Sequence, residues 1–125
     1  MAVSHTVSFA HTGGTVPLSD SVTLTGELAT EGNISVAIGT DQQENIAFNH
    51  TNLRLIYIKS DVTVTLETNA TDATGGNTVT ITAGKPFIWY QGCGLTNPFT
   101  SAVTTTYWTN AGAAAANVYI RTLVA

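Results

Sequence analysis

Charge is what this sequence has least of. Only 10% of its 125 residues are Asp, Glu, Lys or Arg, against about 25% in an ordinary domain. Net charge is −4, and the cations are Arg54, Lys59, Lys85 and Arg121 alone. A nucleic-acid binder needs a basic stripe to neutralise phosphates, and four scattered cations cannot build a large one. Docking on an anionic membrane surface is disfavoured on the same ground. Cysteine is nearly missing as well. With Cys93 alone, no intrachain disulfide and no CxxC metal knuckle can form. No run approaches the roughly 18 apolar residues of a membrane-spanning helix. The opening MAVSHTVSFAH has neither the basic nor the continuous apolar region of a secretion signal. Helical composition is confined to AGAAAA, 111–116, which is too short to hold a stable helix and reads as a bend between strands.

What the sequence has instead is threonine, 23 residues of it, within a chain that is 43% apolar. Threonine is β-branched and suits a pleated, half-exposed surface. Apolar residues recur with period two through most of the chain, the mark of half-buried strands. In VSHTVSF, Val3, Val7 and Phe9 share a face, and Thr12–Gly13–Gly14–Thr15 signals a turn. SDSVTLTGE places Val22 and Leu24 together, with Gly26 weakening the strand end or allowing a bulge. NISVAIG aligns Ile34, Val36 and Ile38, after which Gly39 to Glu44 reads as a polar loop. Residues 53–58, LRLIYI, are apolar on both faces, which predicts a strand that is central in its sheet or covered on both sides.

SDVTVTLETNATDATGGNTVTITAG, 60–84, reads as a hairpin. Val62, Val64 and Leu66 face one way and Val79 and Ile81 answer them, across an exposed, mobile loop at 69–77 too long for a two-residue turn. Pro86 cannot donate to a ladder, so it marks a strand start or an edge before FIWY. TTTYWTN and NVYIRTLVA supply the last strands, the latter with Val118 and Ile120 opposite Tyr119 and Arg121. These segments predict one β domain over residues 1–125, with residues 1–9 as a terminal arm or edge strand. The expected fold is all-β: an antiparallel β-sandwich, jelly-roll-like, of eight or nine short strands.

Residues with chemical potential are few. His5, His11 and His50 lack any metal-motif spacing, and Cys93 between Gly92 and Gly94 has no histidine neighbour in sequence to activate it. Glu27, Glu31, Glu44, Asp61 and Glu67 offer carboxylates without a paired signature. Asp41, Glu44 and Asp72 are oxygen donors, but DATGGN lacks the closing glutamate of a calcium loop. The matches to glycosylation acceptors at 33–35, 49–51 and 69–71 are of the kind that an Asn- and Thr-rich chain produces by chance. No enzyme activity, cofactor or metal is therefore expected. The paired aromatics Trp89–Tyr90 and Tyr107–Trp108 put one ring of each pair inward and one outward, and outward rings anchor interfaces or stack on sugars.

NLRLIYIKSDVTVTLETN, the return NTVTITAGKPFIWY, and NPFTSAVTTTYWTNAGAAAANVYIRTLV together resemble small β-rich structural proteins of tailed-phage virions, of the capsid decoration or cement type. The resemblance spans roughly residues 46–124 and rests on a strand-and-turn pattern. It implies a non-enzymatic protein of the virion, a homo-oligomer that binds between major capsid proteins and stiffens the shell. A tail, connector or fibre-associated position is the alternative, and a carbohydrate-binding module using Trp89 or Trp108 is a rival of another class. The interface candidates are Val3, Val7, Phe9, Trp89, Tyr90, Tyr107, Trp108, Tyr119 and Arg121, with the amino-terminal segment and the last strand as candidates for pairing with a neighbour's strand.

Overall fold

The computed structural model describes residues 2–16, 18–71 and 75–125. The described residues form ten strands and one short 3-10 turn. Three antiparallel sheets result, and none closes into a barrel. The first is a two-stranded hairpin of β1 (Val3–His11) and β2 (Leu18–Gly26). The second has the order β3-β10-β5-β8, from β3 (Leu28–Val36), β10 (Ala116–Val124), β5 (Leu53–Ser60) and β8 (Phe87–Tyr90). The third runs β4-β9-β6-β7, from β4 (Gly39–Glu44), β9 (Thr106–Asn110), β6 (Val64–Thr68) and β7 (Thr78–Ile81).

The pairing is nested. From β3 onward the first strand pairs with the last, the second with the second-last, and so inward to the β6–β7 hairpin. The inward residues of both four-stranded sheets meet in one cluster: Ile56, Ile58, Val118 and Ile120 from the first, Val64, Leu66, Ile81 and Trp108 from the second. Each such side chain taken fully from water contributes about 1.5–3 kcal/mol. Phe99 and Val103, from the connection between β8 and β9, complete this core, with Phe99 edge-on to Phe48 at 5.1 Å between centroids.

Three sequence expectations need correction. The strands number ten, because Gly39–Glu44 is a strand and not a loop. It carries no apolar residue, and polar bonds replace hydrophobic packing: Gln42 donates to Ser35 O at 2.8 Å and to Glu44 Oε1 at 2.9 Å. The hairpin adds a third sheet to the two of a plain sandwich. Ile38 is also off the face shared by Ile34 and Val36. Strand β3 ends at Val36, the chain turns, and Ile38 is left exposed.

The expected bend at 111–116 is tied by Asn110. Its buried amide donates to Val36 O at 3.1 Å and Ala114 O at 2.8 Å, while its oxygen accepts from Gly112 N. Of the predicted loop at 69–77, residues 72–74 lie outside the described residues. Its flanks are anchored by Asn69, which accepts from Thr104 N, and Asn77, which accepts from Thr100 N.

Candidate functional site

The hairpin is built from two in-register runs. Val3 sits opposite Gly26, Val7 opposite Val22, and Phe9 opposite Asp20. Period two then sends Val3, His5, Val7 and Phe9 of β1 to one face, with Val22 and Leu24 of β2. That face packs on the outer side of the β3-β10-β5-β8 sheet, where Leu24, Leu55 and Leu123 form a second small core with Val3, Val7, Ala29, Ile88 and Tyr90 around it. Strand β5 is thereby covered on both sides, as its two apolar faces predict.

The other face of the hairpin is hydroxyl. Ser4, Thr6 and Ser8 stand beside Thr25, Thr23 and Ser21, all exposed. The oxygens of Ser4 and Thr25 lie 3.1 Å apart, as do those of Thr6 and Thr23. Cross-strand hydroxyl pairs of this kind stabilise a ribbon modestly and expose no charge.

The direction of the hairpin follows from its contacts. At its base Gly26 lies against the Val124 carbonyl and the Leu123 side chain, and Glu27 N donates to Val124 O at 2.9 Å. Farther along, the Phe9 ring lies 6.0 Å from Tyr90 on β8, the edge strand of the sheet. The hairpin therefore crosses the sheet from β10 to the β8 edge. Its end stands clear of the body: Phe9 is 44% exposed, Leu18 66% and Val16 70%.

Beside β1 runs a cleft of about 530 Å³, within the range of ligand and peptide sites. Its wall is His5–Phe9, and its floor includes Leu55, Tyr57, Ile88 and Arg121. No carboxylate lines it. Among the described residues β1 has β2 as its sole strand partner, so its cleft-side edge carries unpaired backbone groups. Arg121 is held by Glu31 at 3.8 Å and by bonds from Nη1 to Gly32 O, Asn33 Oδ1 and Ile120 O. None of these uses Nη2.

The structure thus sorts the nine interface candidates. Val3, Val7, Phe9, Tyr90 and Arg121 gather around the hairpin and its cleft. Tyr119, 45% exposed, lies two residues from Arg121 on the same strand. Tyr107 is half-buried on β9, in the opposite sheet. Trp89 and Trp108 are corrections, because both are core residues whose ring N–H groups are taken internally. Trp89 donates to Leu95 O at 3.0 Å and Trp108 to Thr106 Oγ1 at 2.9 Å. Neither offers a face to a sugar or a protein. Leu18, Asp20 and Tyr57 escape the sequence reading. The turn at 12–15 and the alternation on either side of it were the signal for a hairpin, but they do not tell which part overhangs.

His5 lies in the cleft wall, while Cys93 is half-buried with its Sγ 4.0 Å from Leu95 O. Among the described residues, no three His, Cys, Asp or Glu side chains form a group able to hold a metal. No protein-family model, curated protein or solved structure matches this chain.

Proposed function

We propose that this is a structural protein of a phage-like virion, a capsid decoration or cement subunit that binds between major capsid proteins and acts without turnover. The two four-stranded sheets, with their nested first-to-last pairing, correspond to a jelly roll to which the hairpin has been added. Jelly rolls serve in capsids and also in lectins, so the fold alone does not choose between them. The observation that carries the reading is the β1–β2 arm. It has one face dominated by hydroxyls and an overhanging end with Phe9, Val16 and Leu18 exposed. Such an arm meets a neighbouring subunit over a broad surface without stripping charges of water, the costly part of many polar interfaces. The glycan reading loses its support, since the two indoles it relied on are inside the core.

Co-sedimentation with empty capsids tests the proposal. Saturable binding at a symmetry-related stoichiometry is expected, and it should weaken when residues 10–19, a stretch that includes the exposed Val16 and Leu18, are replaced by a short Gly-rich turn. Binding to isolated tails instead of capsids, or to neither, overturns the capsid assignment.

A further inference from the structure

We propose that two copies of this chain exchange the ends of their β1–β2 hairpins, each end lying in the other's cleft. The inference rests on the hairpin and its cleft and is independent of the capsid reading. The overhanging end and the open cleft are adjacent parts of one strand, since Phe9 belongs to both. The face of the hairpin that seals the body between Val3 and Val7 reaches the β8 edge at Phe9, 44% exposed beside Tyr90, and continues as Asp20, His11 and Leu18, which are exposed. The cleft presents the converse, an apolar floor of Leu55, Tyr57 and Ile88 beside an unpaired strand edge.

A two-fold axis standing beside Phe9, perpendicular to the hairpin, reconciles the two. Rotation about it turns the β8 edges of the two bodies toward each other. It also carries each hairpin end over the other copy's cleft. Strand β1 then runs antiparallel to its copy, and the two hairpins join into one four-stranded ribbon with no free edge between them. Augmentation of this kind supplies affinity through the main chain and specificity through alternate side chains. A two-fold contact is self-complementary and closes at two subunits.

The charges agree. Asp20 is the carboxylate on the exposed part of β2 beside Phe9, accepting from Ser21 N at 2.8 Å. The receiving face holds Arg121 in the cleft floor and Lys59 two residues beyond Tyr57 on β5, and no acid lines the cleft. Glu31 is the carboxylate paired with Arg121, and at 71% exposed it can share that cation. In a chain with four cations, two lie where the acid of a second copy would arrive.

Light scattering on the full chain across a concentration series tests this without any capsid. The expected mass is twice the 13.1 kDa of one chain. Leu18→Lys is expected to weaken the dimer on the order of 30-fold or more, the effect of losing a central apolar anchor. Asp20→Arg should weaken it as well. Both side chains are exposed in the single chain, so its melting temperature should hold, which separates lost association from lost folding. A wild-type protein that stays monomeric at high concentration overturns the proposal, as does a dimer untouched by Leu18→Lys. A mass that keeps growing past two copies also overturns it. Dimerisation without capsid binding, or the reverse, would show which of the two readings has failed.

Discussion

Asp61, at the turn after β5, turns both carboxylate oxygens on one residue. Oδ1 accepts from the Asn117 backbone N–H at 2.7 Å and Oδ2 from the Asn117 side-chain amide at 2.9 Å. These bonds, the backbone one first, hold its pKa below the ordinary 3.8. A carboxylate depressed on folding adds stability that is present above pH 3.8 and is lost as pH falls through the lower folded value. The Asp61→Asn protein should therefore melt below the wild type at neutral pH, and the gap should close in acid. Calorimetry across that range checks it, and a gap independent of pH would assign the effect to shape alone. The benefit falls on the turn that sets the start of β10 against the end of β5.

The hairpin is held to the body by a small core and one close approach. A methyl group at Gly26 would meet the Val124 carbonyl and lie 3.0 Å from the Leu123 side chain. Gly26→Ala should then destabilise the protein by about 1–3 kcal/mol, the usual cost of overpacking. Amide exchange should localise the effect, with β1 and β2 exchanging faster and the two larger sheets little changed. Equal acceleration throughout would mean that the hairpin does not dock as a separate element. The same docking bears on residues 1–9, which the sequence suggests as a terminal arm or edge strand. Val3 and Val7 pack in the second core and β1 pairs with β2 along its length, so the overhanging end is the part to shorten.

At this scale the sequence was informative where buried apolar residues alternate along a strand, and silent on Phe99 and Val103, which reach the core from a connection. Val64 and Leu66, Val118 and Ile120, and the two-faced run at 53–58 all lie as their alternation predicts, because a period of two leaves a strand one way to bury them. Strand β4 was invisible because Gln42 and Glu44 fill its inward positions, and an amide that satisfies its neighbours leaves no hydropathy signal. The indoles misled for the opposite reason. Trp89 and Trp108 are inward members of their pairs, and composition alone cannot tell an inward ring from an outward one. The cleft was equally hidden, since His5, Tyr57 and Arg121 come from three strands far apart in the chain.

Across the whole molecule the nested pairing governs how the protein reaches its fold. Strand β3 pairs with β10, as Val36 with Ala116, and β4 pairs with β9, so most of the sheet ladder closes long loops. Such topologies fold in about milliseconds to seconds, not microseconds. Trp89 and Trp108, buried at 9% and 1% exposure, report directly on closure of the core. Stopped-flow refolding followed by tryptophan fluorescence should show burial on that slow scale, and a microsecond phase carrying most of the signal would contradict it. The same nesting has a consequence on the ribosome. The hairpin has both of its strands by Gly26, whereas β3 must wait for nearly the whole remaining chain before its partner exists. Translation therefore delivers both strands of the arm first and leaves them for a time with no body to lie on.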